Sequence, residues 1–153
     1  MNRLTNTATD SGLTESAARL RMAIVRTARR LRQEAAGEGT ELTPTAASAL
    51  ATVERHGPLT PSELARIERI KRPTATRILR VLEGGGLVDR APDPADRRSA
   101  LVSANAAGRE RLRRLRGRKN AFLARRMRDL PEADVETLDR AAEILERLLE
   151  ENR

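Results

Sequence analysis

The sequence predicts a mainly α-helical fold carrying one small β-hairpin, and three observations predict it. Apolar residues recur at helical spacing along most of the 153-residue chain. Two short helical segments, the first opened by a capping box, follow each other closely between residues 60 and 83. Two short, partly β-branched runs, 87–90 and 100–103, then bracket a proline-stiffened loop. The length suits one domain of ordinary size or two small interlocked subdomains, and it excludes a large multidomain enzyme. The apolar inventory includes 24 Ala and 20 Leu but one aromatic, Phe122. Methyl groups bury little surface each, so such a core would gain from a partner chain.

The first dozen residues read as disordered. Leu20, Ile24, Thr27 or Ala28, and Leu31 then lie at helical spacing among arginines, predicting an amphipathic helix over 14–36 that ends at Gly37-Glu38-Gly39. Thr43-Pro44 reads as N-cap and first residue of a short helix through Leu50 and Val53, stopping at His56-Gly57-Pro58. Thr60-Pro61-Ser62-Glu63 is a capping box with proline at the first helical position, and Leu59 with Leu64 forms the hydrophobic staple. That helix is short, because the polar turn Glu68-Arg69 and a new start at Lys71-Arg72-Pro73 follow Ile67. The next helix, from about Pro73 to Glu83, stops at Gly84-Gly85-Gly86.

Two short helices joined by a tight turn make a helix-turn-helix. In the second, Ala75, Ile78, Leu79 and Leu82 form one apolar stripe, and Pro73, Thr76, Arg77 and Arg80 point away from it. Arginine can pair bidentately with guanine O6/N7, and threonine can meet phosphate or a thymine methyl, so this face has the inventory of a recognition helix. A solvated face of an Arg-rich helix is the plainer reading. In the hairpin, Pro92 and Pro94 fix φ while Asp93 and Asp96 can accept turn N–H groups, holding Arg97 and Arg98 at a projecting tip. A hairpin after a helix-turn-helix is a wing. Asp96 reads as a turn-former and arginine orienter, not an acid catalyst. A long helix follows from Asn105 to about Asp129, weakened by Gly117, and Pro131 opens the last helix. Val135, Leu138, Ala142, Leu145 and Leu149 form its seam at alternating three- and four-residue steps, which calls for another helix.

Charge adds a second line of evidence. The formal net charge is +8 and 28 of the 30 basic residues are Arg. Residues 1–54, 55–128 and 129–153 carry +1, +13 and −6. Such a middle segment suits a polyanion, either nucleic acid or an anionic membrane surface, although Ala- and Arg-rich composition also follows from a GC-rich genome. The chain has no Cys, which excludes disulfides, zinc fingers and thiol chemistry and fits a cytoplasmic protein. No apolar run approaches a membrane span, and the polar residues 1–16 do not read as a signal peptide. Nothing resembles a His pair, a Glu-His metal spacing, a phosphate loop or a serine with a base, so no enzyme, metal or cofactor is expected. His56, the single histidine, sits at a helix end, where it can satisfy orphan carbonyls.

Two N-terminal helices, a helix-turn-helix, a hairpin carrying Asp93-Pro94-Ala95-Asp96-Arg97-Arg98, and two long helices resemble the MarR family of winged-helix transcription regulators over residues 13–150. Gly86-Leu87-Val88-Asp89-Arg90 and Val102-Ser103-Ala104-Asn105-Ala106-Ala107-Gly108 carry the resemblance further, the latter similar to the family's post-wing stretch. The resemblance implies a homodimer with interlocking first and last helices, here through Leu20, Ile24, Val135, Leu138, Leu145 and Leu149. It places Arg72, Pro73, Thr74, Thr76, Arg77 and Arg80 on a recognition helix in the major groove, and Arg90, Asp96, Arg97, Arg98 and Ser99 on a wing at the minor groove. It also implies a small aromatic or phenolic ligand bound between the dimer helices and the winged lobe.

The expected organisation is therefore a disordered 1–12, a dimerisation region of 13–37 and 105–153, and a winged helix-turn-helix over 40–104. The expected function is that of a sequence-specific regulator binding a pseudo-palindromic duplex operator, a homodimeric repressor released by a small molecule. The alternative is a winged-helix module that docks a protein through its basic helix, or binds DNA architecturally without reading sequence.

Overall fold

The computed structural model describes residues 4–35, 42–96 and 99–150. Along them run α1 (Leu4–Ala35), α2 (Pro44–His56), α3 (Pro61–Ile67), α4 (Arg72–Gly84), the strands β1 (Val88–Pro92) and β2 (Ala100–Ala104), α5 (Ala106–Met127) and α6 (Glu132–Glu150).

Caps place the helix starts where the sequence puts them. The Thr43 side chain accepts the Ala46 N–H at 3.2 Å, and Pro44 opens α2. Asn105 Oδ1 accepts the Gly108 N–H at 3.0 Å and opens α5. The N-terminus departs from expectation: residues 4–12, read as disordered, continue α1. Once a helix is nucleated, each added residue gains a hydrogen bond, and Gly12 weakens the run without ending it. The expected stop at Gly37-Glu38-Gly39 lies outside the described residues.

β1 and β2 pair antiparallel with Val88 opposite Ala104 and Pro92 opposite Ala100. Both strands run one to two residues further than the sequence suggests, drawing Pro92 out of the loop into the hairpin. Leu59 adds an isolated bridge on the other side of β2, exchanging bonds with Val102 at 3.0 and 2.8 Å, so the segment before α3 is stitched to the wing. The core of this lobe is built from α2, α3, α4 and the hairpin around Leu50, Val53, Leu64, Leu79, Leu82 and Val102, all fully buried. The predicted stripe of α4, Ala75, Ile78, Leu79 and Leu82, is its floor.

The first turns of α5 belong to this lobe too. Gly108 and Leu112 are buried, and a Cβ on Gly108 would stand 2.1 Å from the Leu87 carbonyl oxygen. Farther along, α5 packs against α1. Arg30 and Arg126 lie over the ring of Phe122 at 5.5 and 5.6 Å, and Arg118 donates to the Ala35 carbonyl at 3.3 Å. Apolar side chains of α1 and α6 stay open to solvent in the single chain: Leu20 is 45% exposed, Ile24 44%, Leu138 46% and Leu149 79%. Val135 and Leu145 are half-buried.

Candidate nucleic-acid interface

The helix-turn-helix begins with a reciprocal cap. Thr60 Oγ1 accepts the Glu63 N–H at 3.2 Å, and Glu63 Oε2 accepts the Thr60 N–H at 2.7 Å. The Thr60 N–H, and after it the Thr60 hydroxyl, hold the Glu63 carboxyl below its ordinary value. A carboxylate with a lowered pKa stabilises the fold fully at neutral pH and loses that contribution as pH falls below the usual carboxylate range. Thr60→Ala is expected to cost about 1 kcal/mol in thermal or denaturant unfolding at pH 7. Glu63→Gln keeps an acceptor in place and is expected to flatten part of the acid-side loss of stability, read as melting temperature against pH.

The turn is short and well bonded. The Glu68 N–H reaches the Leu64 carbonyl at 2.9 Å, Arg69 adopts φ 52°, and the Ile70 N–H returns to the Ala65 carbonyl at 2.9 Å. Helix α4 then starts from an extended Lys71 that makes no side-chain cap. Its buried stripe aims Arg72, Pro73, Arg77 and Arg80 outward, all exposed, with Thr74 and Thr76 half-buried beside them. Among the described residues no carboxylate pairs with Arg72, Arg77 or Arg80. The Thr76 hydroxyl donates to the Arg72 carbonyl at 3.0 Å, so its hydrogen is committed to the helix backbone. The sequence reading missed Val81, 59% exposed and one turn beyond Arg77. Its place four residues after Arg77 was the available signal, and an apolar side chain there suits a thymine methyl.

Glycines and an asparagine fix the wing base behind α4. Gly86 takes φ 66°, a left-handed conformation that ends the helix, and its carbonyl accepts from Asn105 Nδ2 at 3.1 Å. The same Nδ2 donates to Asp89 at 3.1 Å. Arg90, expected on the wing surface, lies 3.4 Å from Glu83 and ties β1 to the end of α4. In the loop, Asp93 Oδ1 accepts the Ala95 N–H at 2.9 Å, and the Asp96 carbonyl accepts the N–H of half-buried Ser99 at 2.8 Å. Asp93 thus acts as the turn-former expected of it. Arg97 and Arg98 lie outside the described residues. His56 ends α2 and is exposed.

A second concave feature lies between α1, α2 and α5. This cleft of about 660 Å³ has Leu42, Ala47, Ala51 and Leu115 on its walls and five cations around it, Arg29, Arg32, Arg111, Arg116 and Lys119. Arg116 pairs with Glu54 at 2.5 Å. No helix of the described residues is long and apolar enough to cross a membrane.

A helix-turn-helix followed by a two-stranded wing, with a free cationic face on its second helix, defines the winged-helix class of DNA-binding proteins. The MarR family model matches residues 42–100. An HTH-type transcriptional regulator of Mycobacterium tuberculosis is 35% identical over 133 residues, 87% of this chain and 92% of that one. The crystal structure of a protein from Pseudomonas aeruginosa, assigned to transcriptional regulation, superposes with a TM-score of 0.80 at 34% identity, covering 89% of this chain and 94% of that one. Streptococcus pneumoniae FabT, solved in complex with DNA, shares the fold at a TM-score of 0.66 and 15% identity over 94% of this chain and 99% of FabT. The chain belongs to the MarR family and is a DNA-binding transcriptional regulator, not an enzyme.

Proposed function

We propose that the protein is a sequence-specific, homodimeric repressor in the cytoplasm, released from a pseudo-palindromic operator by a small anionic ligand. The observation that carries this reading is the outer face of α4. A helix whose inward stripe is fully buried presents Arg72, Arg77 and Arg80 to solvent with no carboxylate partner among the described residues. Arg77 and Arg80 read base edges, Thr74, Thr76 and Pro73 set the close approach of the helix, and Arg72 meets phosphate. Arg98 enters the flanking minor groove, where a narrow AT-rich groove attracts arginine, with Arg97, Ser99 and Asp96 beside it. Arg90 contributes by holding the strand against α4. FabT bound to DNA supports the same use of the fold.

Two recognition helices need a dimer. The apolar residues left open on α1 and α6, Leu20, Ile24, Leu138 and Leu149, together with half-buried Val135 and Leu145, supply its seam. The cleft beside α1 supplies the ligand site. Its apolar walls and ring of arginines suit a small aromatic carboxylate or phenolate.

The test is a fluorescence-anisotropy titration of the full-length protein against the duplex immediately upstream of its coding region, with an unrelated duplex as competitor and a salt series. Nanomolar binding that survives competitor and weakens steeply with salt is the expected result. Equal binding to both duplexes would replace this reading with an architectural one, and weak salt dependence without competition by DNA would favour a protein-docking module. Sedimentation at the titration concentrations reads the dimer directly.

A further inference from the structure

The cleft and the helix-turn-helix share one hydroxyl group. Ser48 lies on the α2 face that lines the cleft, with Pro44, Ala47 and Ala51, yet its hydroxyl donates at 2.8 Å to Glu68 Oε2. The Thr52 hydroxyl donates to the other oxygen, Oε1. Glu68 closes α3, and the chain turns through Arg69 directly after it into α4. A half-buried carboxylate thus ties the turn before the recognition helix back to α2. Among the described residues neither Arg nor Lys pairs with it, so these hydroxyls are the side-chain donors that replace its lost water.

A serine hydroxyl carries a single hydrogen. It can serve Glu68 or a carboxylate lodged in the cleft, and serving one withdraws it from the other. We infer that the Ser48 hydroxyl is the switch through which an anion in the cleft acts on the recognition helix, donating to Glu68 in the DNA-binding state and to the anion in the released state. This rests on the ligand reading of the cleft. It makes Ser48 and Glu68 positioning residues, and by linkage the operator and the anion weaken each other's binding equally.

Full-length protein and the upstream duplex carry the test. Ser48→Ala and Glu68→Ala are each expected to weaken DNA binding about three- to tenfold, and the double variant no more than Glu68→Ala alone, since Glu68→Ala already removes the bond to Ser48. Ser48→Thr keeps the hydroxyl and is expected to retain wild-type affinity. Additive losses, or full affinity in Ser48→Ala, would overturn the tie. Sodium benzoate is the ligand probe, its binding read by saturation-transfer NMR and its effect by the change in DNA affinity. Benzoate that still binds Ser48→Ala, but weakens the DNA binding of the wild type alone, establishes the switch. Equal weakening of both overturns it. Benzoate that binds neither defeats the ligand reading and the switch with it, while the double-variant comparison still decides whether Ser48 and Glu68 hold the turn.

Discussion

Removing Arg77 and Arg80 together is expected to lower operator affinity by about 2–6 kcal/mol, because a bidentate arginine–guanine pair contributes about 1–3 kcal/mol of discrimination. The two side chains stand one turn apart on the exposed face of α4, and no partner within the described residues holds them away from DNA. Their loss should fall on the operator and leave weak binding to unrelated duplexes nearly unchanged, so that sequence preference collapses. An equal loss on every duplex would assign both arginines to phosphate and remove base reading from α4. Because α4 is anchored by its opposite, buried stripe, Arg77→Ala and Arg80→Ala should leave the melting temperature unchanged. Any fall in affinity then reports on DNA contact.

Gly108→Ala is expected to destabilise the protein by about 3 kcal/mol or more, in the upper range of overpacking costs. Its Cβ would stand 2.1 Å from the Leu87 carbonyl oxygen, 3.1 Å from the Leu87 carbonyl carbon and 3.3 Å from Leu50 Cδ1. Two of these are backbone atoms, and the bend before β1 that carries them is held by the hairpin that follows and by Asn105, whose N–H bonds the same carbonyl at 3.3 Å. Neither side can yield cheaply. Gly117 in the same helix meets nothing within 4 Å, so Gly117→Ala is expected to stabilise by about 0.5–1 kcal/mol from helix propensity. Denaturant unfolding of the two variants separates the readings. Similar effects at both positions would show that the contact of α5 with Leu87 is not tight. DNA affinity should fall in Gly108→Ala alone, since that contact seats the wing base behind α4.

Much of the lobe was legible because its signals are local. Thr43, Thr60 and Asn105 each carry a side-chain oxygen one turn before an N–H that needs it, and short-range geometry leaves little else for them to do. The stripe Ala75, Ile78, Leu79 and Leu82 follows the helical period, so burying it fixes which arginines face out. Where the sequence reading fell short, the deciding partner lies far along the chain. Arg90 looks like any exposed wing arginine until Glu83 is placed beside it. The bridge between Leu59 and Val102 joins residues on either side of the helix-turn-helix, and no periodicity announces it. The start of α1 was missed for another reason: residues 4–12 lack an apolar pattern, and their helix is propagated from the segment that follows.

The sequence alone therefore determined the element order, the capped helix-turn-helix with its cationic outer face, the hairpin turn held by Asp93, and the absence of thiol chemistry. These follow from spacing, capping and composition, which act over a few residues. Only the tertiary structure decided that Gly108 lies against Leu87, that Arg30 and Arg126 both lie over the Phe122 ring, and that five cations ring one apolar cleft. It alone brought the Ser48 and Thr52 hydroxyls, 20 and 16 residues before Glu68, onto one carboxylate. Such contacts depend on where packing sends whole helices, and burial of a shared core, not the pattern of any one segment, sets those directions.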